Sequence, residues 1–60
     1  MNLTAPAPAS IIGSVHRFGK SGVLYEVLKN VDETSALIRV IETAEETTYP
    51  IAEILRDPTE

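Results

Sequence analysis

Two β-prone segments that carry apolar residues on both faces constrain the fold of this 60-residue chain most strongly. VLYEVLKNV (residues 23–31) and ALIRVIE (residues 36–42) are rich in β-branched and aromatic residues, which favour strands. Alternation along a strand places one apolar set on one side and a second set on the other, namely Leu24, Leu28, Leu37 and Ile41. A sheet covered by one short helix needs apolar residues on one side only, so something must cover the second side.

The remaining strands are predicted from turn residues. IIGSVHRF (residues 11–18) predicts a first strand, and FGKSG predicts a hairpin turn in which Gly19 and Gly22 supply positive φ angles. NVDETS (residues 30–35) predicts a second turn. In IETAEETTYP, we expect residues 43–45 to form a third turn and residues 46–49 a brief fourth strand.

A short helix is predicted after Pro50. Ile51, Ile54 and Leu55 have the i, i+3, i+4 spacing of one apolar helical stripe, and the stripe is expected to cover one side of the sheet. Pro58 ends the helix, because its ring disfavours the α conformation at the preceding residue.

These elements predict a mainly β (α+β) fold, an antiparallel meander of three to four strands with one short C-terminal helix. The alternative is that the sheet curls into a small open barrel. The alanines and prolines of residues 1–10 favour a flexible arm, so the expected organisation is an arm at 1–10, a single small domain at 11–57 and a tail at 58–60.

Composition excludes several kinds of site. The absence of cysteine excludes disulfides and thiolate zinc sites and favours a cytoplasmic protein. No signal peptide and no membrane-spanning segment of about 20 apolar residues is predicted. We expect no cofactor and no metal.

Charge is divided unequally along the chain. Residues 1–31 carry three basic residues against Glu26, whereas residues 32–60 carry eight acids against two arginines, which gives +2 and −6. Arg17, Lys20 and Lys29 form at most a weak basic patch. A protein that binds duplex nucleic acid usually displays a basic surface, so this class is disfavoured.

The polar residues near the strands do not form a catalytic pattern. His16 has no partner base or nucleophile in the sequence, and we expect it on a solvated strand position. Glu42, Glu45 and Glu46 flank a turn in water, whereas a carboxylate that works as a general acid or base needs a desolvated environment. The protein is therefore predicted not to be an enzyme, and His16→Ala and Glu45→Ala are expected to leave folding nearly intact.

The aromatic residues are few. Tyr25 and Tyr49 are expected at the edge of the core with their hydroxyls in water, and Phe18 is the one other aromatic residue. Sheets that bind RNA usually present several aromatic residues beside basic ones.

A combination of short motifs resembles a known pattern. F-G-x-x-G-x-x-Y-E-V matches residues 18–27, E-E-x-x-Y-P matches residues 45–50, and Asp57-Pro58 follows. Over residues 11–58 the chain resembles a family of very short, uncharacterised bacterial proteins, a domain of unknown function. The resemblance implies no activity and no site residue. The pattern often has glycine at the position of Ala44, so a left-handed turn there is not expected.

The prediction for function follows from the two-faced strands. We expect a non-enzymatic, self-associating protein-interaction or regulatory accessory module, an isologous homodimer with an apolar interface that also binds another cytoplasmic protein. The interface is predicted at Leu24, Leu28, Leu37 and Ile41. The alternative is a small nucleic-acid-binding β-barrel that uses Arg17, Lys20, Lys29 and the aromatic residues. An enzyme acting on a small molecule through His16 and the glutamates is a third possibility.

Overall fold

A computed structural model gives the structure of residues 11–60. Its elements are β1 (Val15–Arg17), β2 (Leu24–Asn30), β3 (Ser35–Val40), β4 (Glu46–Pro50) and α1 (Ile51–Arg56). The strands form one antiparallel sheet in the order β1-β2-β3-β4. The predicted meander with one C-terminal helix is confirmed, and the sheet is open rather than closed into a barrel. The predicted arm at residues 1–10 lies outside the described residues.

Strand β1 is shorter than the sequence predicts. Gly13 has a φ of 88°, and the Ser14 amide donates to the carbonyl of Ile11 at 3.0 Å, so a tight turn replaces the start of the strand. Regular pairing with β2 begins at Val15, which lies opposite Glu26.

The connection from β1 to β2 needs its two glycines for different reasons. Gly19 has a φ of 64°, which favours glycine. Gly22 has no positive φ, but a Cβ atom there would lie 2.1 Å from the carbonyl oxygen of Phe18, which accepts the Gly22 amide at 2.9 Å. The prediction that both glycines supply positive φ angles is therefore wrong for Gly22.

Ala44, in the turn between β3 and β4, has a left-handed backbone conformation although it carries a Cβ atom. Ala44 has a φ of 65°, its amide donates to Val40 at 2.7 Å, and the Val40 amide donates to Glu45 at 2.8 Å. The hydrogen bonds and the pairing of the two strands hold alanine in a conformation that costs a residue with a Cβ about 1 kcal/mol.

The core lies between α1 and one side of the sheet. Tyr25, Val27 and Ile38 are fully buried there, and Ile51 and Ile54 of the helix pack against them. Leu55 is 58% exposed, so the expectation that it completes the helical stripe is wrong. With 3.6 residues per turn, Leu55 lies roughly 100° around the helix from Ile54. Only the side of this six-residue helix that carries Ile51 and Ile54 faces the sheet, and Leu55 lies outside it.

The other side of the sheet, here called the second face, has no element of the described chain packed over it. Strand register and alternation assign its residues: Val15, Arg17, Leu24, Glu26, Leu28, Lys29, Leu37, Arg39, Ile41, Glu46 and Thr48. A bulge between Val27 and Lys29 makes Leu28 the extra residue of β2.

The two edges of the sheet differ. The last residues of the chain pair with β1, since the Arg17 amide donates to Pro58 at 3.0 Å and the Glu60 amide donates to Val15 at 2.8 Å. Strand β4 forms the opposite edge, and no strand of the described chain lies beyond it. None of the helices in residues 11–60 has the length and hydropathy that crossing a membrane requires.

Candidate functional site

A carboxylate just beyond the helix collects three hydrogen bonds from distant parts of the chain. Asp57 accepts from the Tyr25 hydroxyl at 2.6 Å, from the Tyr49 hydroxyl at 3.2 Å and from the Gly19 amide at 3.1 Å. It thereby ties β2, β4 and the turn after β1 to the end of α1. Sequence reasoning missed this role of Asp57.

The pKa values of these groups reflect that arrangement. Burial raises the pKa of Asp57, but the hydrogen bonds from Tyr25, Gly19 and Tyr49 lower it more, so the net pKa is below the ordinary value. Burial, followed by the hydrogen bond to Asp57 and its charge, raises the pKa of Tyr25. Burial and the charge of Asp57 raise the pKa of Tyr49 as well. At neutral pH the cluster is a carboxylate held by two neutral phenols.

Aromatic rings surround this carboxylate. Phe18 lies 4.3 Å from Tyr25 and 5.2 Å from Tyr49, measured between ring centroids, and the two tyrosine rings are 5.4 Å apart. Tyr25 is fully buried, so the expectation that its hydroxyl reaches water is wrong. Its hydroxyl needs an acceptor inside the protein, and Asp57 supplies it.

His16 is also buried, with 4% of its surface exposed, and the prediction of a solvated position is wrong. Its ring stacks on Tyr25 at 5.6 Å, and its Nε2 lies 2.8 Å from the Ser14 hydroxyl. Among residues 11–60, Nδ1 finds no hydrogen-bond partner. Without an orienting partner and without access to solvent, the Ser14–His16 pair lacks the geometry of an activated nucleophile. The pair packs the core beside β1.

The motif residues noted in the sequence meet at this cluster. Phe18, Gly19, Tyr25, Tyr49 and Asp57 all belong to the F-G-x-x-G-x-x-Y-E-V, E-E-x-x-Y-P and Asp-Pro motifs, and all contact one another around the carboxylate. These contacts explain the motif residues as requirements of the fold. A functional surface must be sought elsewhere.

The second face has the composition of a contact surface. Its residues form three rows across the strands, with Glu26, Arg39 and Glu46 side by side in the middle row. Arg39 donates to Glu46 at 3.2 Å, whereas Glu26 has no ion pair within residues 11–60. Apolar rows lie on either side of the charged row.

The apolar rows contain all four residues predicted for an interface. Leu24 and Ile41 adjoin in one row, where the Ile41 amide donates to Leu24 at 3.0 Å. In the other row Leu37 lies opposite Lys29, and Leu28 is the extra residue of the bulge that precedes Lys29. The three leucines are half-buried by their neighbours, and Ile41 is 48% exposed. An open groove of about 400 Å³ lies between Leu24, Ile41 and Arg17 at one end of the face.

The predicted basic patch is spread over the sheet. Arg17 lies at the end of β1, where its guanidinium donates to the Gly22 carbonyl at 3.0 Å and to Glu60 at 3.2 Å. Lys20 is exposed in the following turn, and Lys29 is exposed near the far end of β2. Arg17 lies opposite Leu24, and Lys29 follows Leu24 by five residues, or roughly 17 Å along β2. Arg17 and Lys29 are therefore too far apart to form one basic patch.

The glutamates lie in or beside the exposed turn between β3 and β4. Glu46 pairs with Arg39, while Glu42 and Glu45 are exposed. Within residues 11–60, no group of three histidine, aspartate or glutamate side chains is close enough to hold a metal ion.

Comparisons with known proteins give one match. The family model described as "Family of unknown function (DUF5397)" matches residues 3–60. Neither the curated proteins nor the solved structures include a significant match to the chain.

Proposed function

The chain belongs to the DUF5397 family, whose function is unknown, and we propose that it is a non-enzymatic module that associates with a second copy of itself through the second face. The observation that supports this proposal is the contrast between the two sides of one small sheet. The helix buries one side, and the apolar rows Leu24–Ile41 and Leu28–Leu37 lie uncovered on the other.

A second copy is the occupant that these residues fit best. A chain of this length buries only about 60% of the surface that its unfolded form exposes, so its core is small, and an uncovered apolar sheet face leaves hydrophobic stabilisation unused. Two identical faces bury each other in one isologous contact, which is the commonest arrangement of soluble oligomers. The face also carries Glu26, Glu46, Arg17, Lys29 and Arg39, and these charges favour solubility of the free chain.

The size of the face limits the affinity. Four strands spaced about 4.8 Å apart make a surface about 19 Å wide, and six residues at about 3.4 Å each make it about 20 Å long. The resulting area of roughly 400 Å² is about half of the ~800 Å² that each partner contributes to a standard interface. We therefore expect a dimer with a Kd in the micromolar range and a role in regulated, reversible association with a further protein. The lack of cysteine supports a cytoplasmic location.

Light scattering and thermal melts over a range of concentrations test the proposal. We expect a dimer at high micromolar concentration and a Tm that rises with concentration. Ile41→Lys should dissociate the dimer. Its matched control is Val31→Lys, because Val31 is also a β-branched residue with similar exposure, 51% against 48%, but lies in the turn between β2 and β3.

Two outcomes would contradict the proposal. The first is a folded monomer whose Tm does not change on dilution, and the second is equal behaviour of the two lysine variants. Anisotropy measurements with labelled nucleic acids test the alternative function. Tight, sequence-dependent binding at physiological salt would favour the nucleic-acid-binding module.

A further inference from the structure

The charged row of the second face restricts how two copies can pack. Sheets that pack face to face with aligned strands keep their strand directions within about 30° of each other. In such an isologous dimer the two-fold axis lies in the interface, either along the strands or across them. The two choices bring different residues together, and strand register determines which.

An axis along the strands, running between β2 and β3, places β2 of one copy over β3 of the other. Glu26 lies directly opposite Arg39 within one sheet. In the dimer, therefore, Glu26 lies over the partner's Arg39, and Arg39 lies over the partner's Glu26. The same operation places Leu24 over the partner's Ile41. The partner's Leu37 meets the bulge of β2, where Lys29 is the register partner of Leu37 and Leu28 is the extra residue, so that each row meets its own equivalent.

An axis across the strands gives the opposite result for the charges. Each strand then lies over its own copy, and when the axis runs along the middle row, Glu26 lies over the partner's Glu26 and Arg39 over the partner's Arg39. Like charges brought together in an interface are unfavourable, particularly when partly removed from water. The middle row thus discriminates between two arrangements that bury the same apolar rows.

We infer that the Glu26–Arg39 pair fixes the register of a homodimer whose two-fold axis runs along the strands between β2 and β3. Glu26 supports this inference independently. It is half-buried in the middle of the face and has no ion pair within the described chain, whereas the neighbouring Arg39 already holds Glu46. The partner's Arg39 supplies Glu26 with a cation.

Charge reversal tests this inference, which rests on the proposed self-association. Glu26→Arg places arginine over the partner's Arg39 at two symmetric positions, and we expect the dimer Kd to rise by at least about tenfold. Arg39→Glu should weaken the dimer similarly. An equimolar mixture of the two variants should form a heterodimer close to the wild type in affinity, because every 26–39 contact between copies is then opposite in charge.

The doubly reversed chain, with Glu26→Arg and Arg39→Glu together, should also dimerise better than either single variant. Glu45→Arg is the matched control, since Glu45 is exposed in a turn away from the face, and it should leave the Kd unchanged. Circular dichroism establishes that each variant is folded. If Arg39→Glu does not fold, Arg39→Gln replaces it, and its heterodimer with Glu26→Arg keeps one opposite pair and no like pair.

Sedimentation equilibrium and native mass spectrometry measure these associations. A wild-type dimer that is insensitive to Glu26→Arg, or variants that do not recover affinity on mixing, would overturn the assigned axis while leaving self-association intact. A wild-type chain that stays monomeric would instead overturn the proposed function, so the two failures are distinguishable.

Discussion

Removal of the Asp57 carboxylate is the sharpest test of how this small fold is stabilised. Asp57→Ala leaves the Tyr25 hydroxyl in the core without its acceptor, and Tyr25 is fully buried. A hydrogen bond to a charged group contributes about 1.5–3 kcal/mol. The contacts to Tyr49 and the Gly19 amide are longer and nearer to solvent, and together they add roughly 1 kcal/mol. We expect a total loss of about 3 kcal/mol.

That loss is large for a chain of this size. Native proteins have about 0.05–0.15 kcal/mol of stability per residue, which gives some 50 ordered residues roughly 3–8 kcal/mol. Urea unfolding at pH 7 and a fixed protein concentration measures the change. Asp32→Ala is the matched control. Asp32 also accepts three hydrogen bonds, from the Thr34 amide, the Thr34 hydroxyl and the Ser35 amide, but it is exposed, so we expect a much smaller effect.

A double-mutant cycle with Tyr25→Phe isolates the central contact. Tyr25→Phe should cost about 1.5 kcal/mol. The double variant should cost little more than Asp57→Ala alone, because both single changes remove the same hydrogen bond, and the coupling should be about 1.5 kcal/mol. Additive losses, or a cost for Asp57→Ala no larger than that for Asp32→Ala, would refute the assignment of Asp57 as the link between the strands and the helix.

Four further substitutions are tested by the same unfolding assay, the last of them as a function of pH. Ala44→Gly should raise the free energy of unfolding by about 1 kcal/mol, because glycine adopts the positive φ without strain. The control Ala52→Gly, on the exposed side of the helix, should lower it by about 1 kcal/mol. Gly22→Ala should lower the free energy of unfolding by about 2 kcal/mol or more, since the alanine Cβ would overlap the Phe18 carbonyl. An unchanged urea midpoint would contradict the close contact between residue 22 and the Phe18 carbonyl. Because the pKa of Asp57 is lower in the folded than in the unfolded protein, its carboxylate stabilises the fold at neutral pH, and this stabilisation is lost as the pH falls through the folded-state pKa. Asp57→Asn should therefore lose less stability than the wild type between about pH 5 and about pH 2. Parallel stability–pH profiles of the two proteins would show that Asp57 does not contribute to acid unfolding.

The sequence predicts the order of the elements well because their signals are local. Alternating apolar residues identify β2 and β3, and Pro50 with the spacing of Ile51 and Ile54 identifies the helix. The turn at Ala44 shows the limit of such signals. Its left-handed φ is imposed by the pairing of β3 with β4, which local propensity does not encode.

Burial of polar residues was the part that sequence reasoning misjudged. His16 lies between Val15 and Arg17 on a short strand. The residues next to it do not indicate which side of this strand the helix covers. Its burial follows from register, since His16 lies opposite Tyr25 and both therefore face the core. The acceptor for Tyr25 is 32 residues away in the chain, so the pair is visible only in the folded structure.

The two sides of the sheet hold motif residues of different kinds. The core side holds the three aromatic motif residues and Asp57, and the contacts of Phe18, Tyr25, Tyr49 and Asp57 account for their presence by packing and hydrogen bonding. The second face contributes Glu26 to the motif Y-E-V, and its half-buried carboxylate has no ion pair in the described chain that would explain its presence. A carboxylate in the middle of apolar rows weakens the hydrophobic contribution of that face unless a cation meets it. In the proposed dimer Arg39 of a second copy would meet it where β2 packs over β3, and this contact would account for a half-buried motif residue that packing and hydrogen bonding within the described chain do not explain.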